Sequence, residues 1–209
     1  MIYEVRTYTL SPGKVAEFEE RFAKRLPTRE KHSKLGGFWH TDLGPLNQVI
    51  HVWPFEDLQE RQNVRDAMAA DTELQQFRGP PGVITAQESE IYIPAPFMRP
   101  LGGDQALGSV YEMRSYTFLP GAMSGLLESW SAAVPQREEY SPLAAGMYTE
   151  LGGLNKWVHI WPYESMDQRN SIRAEASKAG VWPPQGAYRD LMIKQESKVL
   201  IPAAFSPMH

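Results

Sequence analysis

An acid, a guanidinium, a phenol, an imidazole and an indole occur at alternate positions in two short segments of this chain. Glu4, Arg6 and Tyr8 alternate along the first segment, and His51 and Trp53 along the second. Alternate side chains of a β-strand project from the same face of its sheet. If the segments are neighbouring strands, all five side chains share a face. There the imidazole could act as general acid or base near neutral pH, while the guanidinium held an anionic or carbonyl group and the phenol donated a hydrogen bond.

The same five residue types return in the same order, 108 residues later, with similar segments around them. The offset is constant, so no net insertion separates the two copies. A repeat of this length indicates two domains of one fold rather than a solenoid, whose repeats are about 20–50 residues long. A pseudo-two-fold pairing of the copies is the natural arrangement. The second set is Glu112, Arg114, Tyr116, His159 and Trp161.

The elements that must position these residues follow from periodicity. Each copy is typical of strand, helix, two strands, helix and strand. The first helix has one apolar face, and Pro27 in one copy and Pro135 in the other are expected to kink or end it. The second helix is expected to begin near Glu56 and near Glu164, where an acid suits the positive end of the helix dipole. The strands predicted in the first copy are residues 2–10, 37–43, 47–54 and 86–93.

This order of elements is the ferredoxin-like α+β unit, a four-stranded antiparallel sheet with both helices on one face. The other face of each sheet needs a cover, and the second copy can supply it. The sequence therefore predicts tandem ferredoxin-like domains, residues 1–98 and 109–209, joined by a linker at residues 99–108. They are expected to pair face to face as an intramolecular α+β barrel, and a homo-oligomer of such chains is also expected.

Alternation along the strands predicts how the two sheet faces are used. On the first strand, the side chains that alternate with the polar ones are Tyr3, Val5 and Thr7. On the third strand they are Ile50 and Val52. We expect these mainly apolar side chains to pack on the helices. The polar set would then lie on the opposite face of the sheet.

The last strand of each copy neighbours the first strand in this topology. It is expected to add an acid to the polar face, Glu88 in the first copy and Glu196 in the second, and Tyr92 is expected to join Glu88 there. The tryptophans are either core aromatics or a cage for a flat substrate. The candidate catalytic residues are His51, His159, Glu4, Glu112, Arg6, Arg114, Tyr8 and Tyr116. The candidate ligand-pocket residues are Trp39, Trp53, Trp157, Trp161, Glu88 and Glu196.

Composition excludes several classes of protein. The 209 residues carry a net charge of −4 and no basic stripe, so nucleic acid is not an expected partner. The absence of cysteine excludes disulfides and thiolate chemistry. No apolar run reaches the length of a membrane span. A strand predicted from residue 2 onward leads us to expect no targeting peptide, unless processing has already removed one. A cytoplasmic protein that does not enter membranes is the expectation.

Three motifs carry a family resemblance. Tyr-Glu-x-Arg-x-Tyr-Thr-x-x-Pro-Gly from Tyr3, His-x-Trp-x-x-Glu from His51, and the terminal Gln-Glu-Ser, Ile-Pro and Phe-Ser-Pro-Met from Gln195 resemble the NIPSNAP family. The resemblance covers almost the whole chain, once per copy. It implies the dimeric α+β barrel superfamily, which includes cofactor-free monooxygenases, muconolactone isomerases, polyketide cyclases and chlorite dismutase-like haem proteins. In the relatives that are enzymes, the pocket often lies between sheet and helices.

Three functions follow from these residues and this resemblance. The first is binding of a small hydrophobic or aromatic molecule, with cofactor-independent proton transfer, isomerisation, cyclisation or oxygenation in which His51 or His159 is the acid or base. The second is a non-catalytic ligand-binding or interaction module, in which the polar set is a paired network that fixes how the sheets dock. The third is haem binding through a histidine. A duplicated metal site at His32 and His40 is not expected, because Tyr140 and Tyr148 stand there in the second copy. His51 with Glu4 could ligate a metal, but so few ligands at unmarked spacing are weak evidence, and no metal site is expected.

Overall fold

The computed structural model describes residues 1–77 and 79–209, and its elements follow the predicted order in both copies. Each half has four strands and two main helices. The first half is β1 (Ile2–Leu10), α1 (Val15–Arg29), β2 (Gly37–Leu43), β3 (Gln48–Phe55), α2 (Leu58–Ala70), the short α3 (Thr72–Gln75) and β4 (Ile84–Pro94).

The second half repeats this order, with a 3-10 turn where the first half has α3. Its elements are β5 (Val110–Phe118), α4 (Ala122–Glu138), β6 (Ala145–Leu151), β7 (Lys156–Tyr163), α5 (Met166–Lys178), the 3-10 helix Ala187–Leu191 and β8 (Met192–Pro202). The chain is therefore two tandem ferredoxin-like units, as the sequence predicts.

The eight strands form one closed antiparallel barrel in the order β1-β3-β2-β8-β5-β7-β6-β4. The halves join through two equivalent seams. Trp39 pairs with Pro202 where β2 meets β8, and Met147 pairs with Pro94 where β6 meets β4. Closure leaves no unpaired sheet edge, which a single ferredoxin-like unit would expose. The predicted intramolecular α+β barrel is confirmed.

The main core lies inside the barrel. Val5 and Val52 of the first half meet Met113 and Ile160 of the second there, and all four are buried. The prediction that these apolar sets pack on the helices is wrong. The centre of a closed barrel is shielded from water and takes mainly apolar and aromatic side chains. The layer between sheet and helices receives cations from the helices that can pair with a buried acid. The polar sets therefore face the helices.

The prolines of α1 and α4 lie inside those helices and do not end them. Helix α1 continues past Pro27 to Arg29, and α4 continues past Pro135 to Glu138. A proline this close to the carboxyl end removes one backbone donor but leaves the final turn in place. Because each helix continues past its proline, a buried arginine, Arg29 or Arg137, lies in its last turn, over the polar face of the sheet.

None of the helices in the described part of the chain has the length and apolar character needed to cross a bilayer.

Candidate functional site

The five chemistry-bearing side chains of the first half lie on one face of the sheet. Strands β1 and β3 pair so that Glu4 is opposite Trp53 and Arg6 is opposite His51. Directly opposed residues of an antiparallel pair project to the same side. Tyr8 completes the set, with its ring centroid 4.9 Å from that of His51. The second half has the same arrangement, in which strand β5 pairs with β7.

The acids of the last strands lie on the other face. Glu88 is opposite Thr7 and Glu196 is opposite Ser115, and both acids are exposed. In each half a serine one position later, Ser89 or Ser197, occupies the place on the polar face that the sequence predicts for the acid. A shift of one residue in strand pairing moves every side chain of the strand to the other face. Ser89 Oγ donates to Glu4 Oε1 at 2.7 Å. In the second half, Ser197 Oγ donates to Glu112 at 3.0 Å. Tyr92, which the sequence predicts beside Glu88 on the polar face, is opposite Tyr3 and lies in the barrel interior.

The four candidate tryptophans divide between two environments. Trp39 lies inside the barrel, 5.6 Å from the ring of Tyr111, and so is remote from the polar face. Trp157 and Trp161 lie on the helix-facing side of the second half. Trp53 holds the equivalent position in the first half and borders a cavity there. Only Trp53 is therefore a wall residue of the kind predicted.

Sequence reasoning missed a cation that stands at the same place in both halves. The guanidinium of Arg29 lies 3.9 Å from the ring centre of Trp53, and that of Arg137 lies 4.3 Å from Trp161. Burial, followed by the charge of Arg25, lowers the pKa of Arg29 to about 10. A signal was present, because a proline two residues before an arginine recurs at the same place in both copies.

Glu4 is a buried carboxylate held by several donors. It accepts hydrogen bonds from Arg61 at 2.6 Å and Arg6 at 3.3 Å, and Arg65 lies 3.9 Å away. Burial alone would raise its pKa, but the bonds from Arg61 and Ser89 and the nearby cations overcome burial, and the net pKa is lowered. The second half repeats the network on Glu112, with bonds from Arg114, Arg169, Arg173 and Ser197.

A tryptophan fixes the proton of each buried histidine. The indole Nε1–H of Trp53 donates to Nδ1 of His51 at 2.7 Å, and that of Trp161 donates to Nδ1 of His159 at 2.9 Å. An indole can only donate, so Nδ1 is the acceptor and the neutral ring carries its hydrogen on Nε2. Burial and the surrounding arginines lower the pKa of both histidines well below the ordinary value, which keeps the rings neutral.

This tautomer does not fit haem iron. A ligating imidazole offers the lone pair of one nitrogen and donates the hydrogen of the other to a carboxylate, carbonyl or water. Here the far nitrogen of His51 already receives a hydrogen from Trp53. Within residues 1–77 and 79–209, no cluster of three or more histidine and acidic side chains could hold a metal ion. His32 and His40 instead pair with Asp71 at 2.7 Å and Glu19 at 2.8 Å.

A cavity of about 550 Å³ opens between α1, the sheet and the segment before β4 in the first half. His51 and Trp53 border it, and residues 79–84 line the side nearest β4. Its arginines are Arg6, Arg21, Arg25, Arg29 and Arg65, and its larger apolar or aromatic side chains include Tyr8, Phe18, Phe22, Met68 and Phe77. Glu4 is the one carboxylate among the described lining residues.

The equivalent space in the second half is largely filled. Trp130 stands where the first half has Phe22, and Trp182 where it has Leu74; their rings lie 4.7 Å apart. The remaining cavity is about 240 Å³, and His159 is not among its walls. The chain thus carries the Glu, His and Trp arrangement twice, but an open cavity beside it only once within the described residues.

Comparisons with known proteins identify the family of this chain. The family model described as NIPSNAP matches residues 3–99 and again residues 111–207. Protein NipSnap homolog 3A of Homo sapiens is 34% identical to this chain, over 100% of the chain and 86% of that protein. An uncharacterized NIPSNAP-like domain protein of Burkholderia xenovorans is 33% identical over 48% of this chain and 90% of its own, with a TM-score of 0.45.

A likeness in fold extends further. A putative monooxygenase from Lactobacillus acidophilus superposes on 97% of this chain and 94% of its own, with a TM-score of 0.65 and 12% identity. That similarity concerns the fold alone. The family model and the human relative carry the assignment, and the resemblance seen in the sequence motifs is confirmed. The chain belongs to the NIPSNAP family, with two NIPSNAP domains in tandem.

Proposed function

We propose that the first half of this chain binds a small anionic molecule with a hydrophobic or aromatic body. The observation that carries the proposal is the imbalance of charge in the 550 Å³ cavity, where five arginines line the walls with a single carboxylate among the described residues. Guanidinium groups bind carboxylate and phosphate groups strongly, often through two parallel hydrogen bonds. The cavity therefore supports an anion as ligand.

The one carboxylate does not neutralise these cations. Glu4 is already bonded to Arg6 and to Arg61 and has Arg65 at 3.9 Å. That leaves Arg21, Arg25 and Arg29 facing the cavity. Among the described residues, Arg29 donates hydrogen bonds only to neutral oxygens of Ser33, and Arg21 has Glu17 at 3.6 Å. The buried Nε of Arg25 has no hydrogen-bond partner in the described part of the chain.

The electrostatic cost of this arrangement points to Arg25 as the main anchor. Burial, and then the charge of Arg6, lower the pKa of Arg25 despite the favourable influence of Tyr8. Burying a cation without an opposite charge is unfavourable. A ligand carboxylate would supply that charge, so its binding relieves an existing cost as well as forming new bonds.

The remaining walls suit an apolar body. Phe22 and Trp53 pack on the imidazole of His51. Phe18, Met68 and Phe77 also line the cavity. Ligand cavities of about 300–1,000 Å³, mostly apolar with a few polar groups, are typical of small-molecule sites. The volume and the lining both support an aromatic or branched aliphatic acid rather than a small inorganic anion.

The second half is an internal comparison for this proposal. Its Glu112 network matches that of Glu4, yet Ala133 stands where the first half has Arg25 and Ser129 where it has Arg21. The carboxylate network is common to both halves and supports an architectural role for that part of the polar set. The extra arginines and the open cavity occur together in one half, which supports binding there.

Replacing Arg25 by alanine, the residue of the second half, is expected to weaken binding of naphthalene-2-acetate about 10- to 100-fold. The reason is the loss of a charge-assisted hydrogen bond, worth about 1.5–3 kcal/mol. Isothermal titration calorimetry measures the affinity, and wild-type protein should bind one molecule per chain. The neutral naphthalene-2-acetamide should bind wild-type protein much more weakly and respond little to the substitution.

Arg189→Ala is the matched control, because Arg189 borders the smaller cavity of the second half and is exposed. It should leave the affinity unchanged. Equal affinity for naphthalene-2-acetate and naphthalene-2-acetamide would show that the arginines of the first half do not bind the ligand. Two sites per chain, with binding weakened equally in Arg25→Ala and Arg189→Ala, would show the same.

A further inference from the structure

We infer that His51 forms a second, oxygen-selective subsite in this cavity, which binds a ligand oxygen in its ionised form as a phenolate or enolate. This inference rests on the proposed anion binding and adds the chemical class of the ligand. The molecule it describes has two anionic ends, a carboxylate at Arg25 and an ionised oxygen at His51, joined by a flat or apolar body.

The direction of one hydrogen bond carries the inference. Trp53 donates its indole hydrogen to Nδ1 of His51 at 2.7 Å, so the single hydrogen of the neutral imidazole is on Nε2. That Nε2 is buried and meets no hydrogen-bond acceptor among residues 1–77 and 79–209. A buried donor without an acceptor is uncommon in folded proteins and calls for an explanation. A ligand oxygen provides one.

The groups around His51 favour an anion over a neutral oxygen. Cations approach from two elements, Arg6 on β1 and Arg25 and Arg29 on α1. Glu4 on the same face is held by Arg6, Arg61 and Ser89. The rings that pack on the imidazole belong to Tyr8, Phe22, Phe38 and Trp53, and they exclude water rather than compete as anions.

The same geometry limits what His51 can do chemically. Its Nδ1 lone pair is engaged by Trp53, and Nε2 carries a hydrogen, so the neutral ring offers no free lone pair to take a proton from a ligand. It acts instead as a donor toward negative charge on oxygen, as donors of oxyanion sites do. The proton of a bound phenol or enol is released to solvent and is not stored on the histidine.

The second half shows what the subsite needs. His159 has the same bond from Trp161 and the same unpartnered Nε2 within the described residues. Trp130 packs on it at 4.7 Å between ring centres, and it does not border the small cavity there. The donor is therefore duplicated, but within the described residues only His51 borders one of the two cavities.

The probe for this inference is 4-hydroxy-3-nitrophenylacetate, which has a carboxylate at one end and a coloured phenolate at the other. On binding to wild-type protein, the phenol pKa should fall by about one unit, read from the phenolate absorbance as a function of pH. His51→Phe keeps the ring packing and removes the donor. It should retain binding through Arg25 but lose most of the fall in phenol pKa, while His159→Phe should behave as wild type.

The outcomes separate the two proposals. No saturable binding of either acid probe would overturn the anion site and this subsite with it. Binding with an unchanged phenol pKa, or a fall that persists in His51→Phe, overturns the subsite alone. If His51→Phe does not fold, nitrogen NMR of wild-type His51 decides: hydrogen on Nε2 and a bare Nδ1 between pH 6 and 8 are expected. A hydrogen on Nδ1 contradicts the inference.

Discussion

Glu112→Ala is expected to destabilise the protein by about 3 kcal/mol. The carboxylate is 1% exposed and accepts hydrogen bonds from Arg114, Arg169 and Arg173. Removing one partner of a buried ion pair typically costs about 3–5 kcal/mol, because the remaining charges stay desolvated without compensation. We place the effect at the lower end of that range because the arginines reach solvent in part. Urea unfolding followed by far-UV circular dichroism measures it.

Glu196→Ala is the matched control in the same half. That acid is exposed and lies on the other face, opposite Ser115. Its removal should change the free energy of unfolding by no more than about 0.5 kcal/mol, as for most surface substitutions. Similar losses for Glu112→Ala and Glu196→Ala would contradict an architectural role for the Glu112 network.

Acidification from pH 7 to pH 5 is expected to cost about 4 kcal/mol of stability through two histidines. Burial lowers the pKa of His51 and His159 well below the ordinary value of about 6.5, which both regain on unfolding. The unfolded chain therefore binds protons that the folded protein does not, so stability falls as the pH falls below about 6.5. Each histidine that stays neutral in the fold contributes about 2 kcal/mol over this interval.

The titration of His40, Glu4 and Glu112 affects stability in a different direction or a different pH range from that of the two buried histidines. His40 acts in the opposite sense, because its bond to Glu19 raises its pKa and stabilises the fold at low pH. Glu4 and Glu112 have lowered pKa values, so their contribution is complete above about pH 4.5 and is lost only in stronger acid. Unfolding free energies at half-unit steps of pH should be compared with those of His51→Phe with His159→Phe. The double variant should show a much flatter slope between pH 6.5 and 5, and an unchanged slope would contradict neutral buried histidines.

The sequence predicts much of this architecture, for reasons visible in particular residues. The constant offset between the Glu4 and Glu112 segments predicts two copies, and strand alternation predicts that Glu4, Arg6 and His51 share a face. Alternation cannot say which face turns toward the helices. That choice depends on the closed barrel, whose dry interior takes the apolar set that includes Val5 and Ile50.

Two features of the site depend on contacts that alternation does not encode. The position of Ser89 beside Glu4, in place of Glu88, depends on the register between β1 and β4. The difference between the cavities depends on Trp130 and Trp182 meeting across α4 and the loop after α5. The divergence of that loop between the copies is visible in the sequence, but its inward packing is a tertiary result.

A crystal structure with 4-hydroxy-3-nitrophenylacetate would show whether the first-half cavity binds an acid through Arg25 and His51. We expect one molecule per chain, in the first-half cavity, with its carboxylate within hydrogen-bond distance of Arg25 and its phenolate oxygen at Nε2 of His51. A ligand seated beside His159, inside the barrel among Val5 and Met113, or in the first-half cavity with its carboxylate away from the arginines would contradict it.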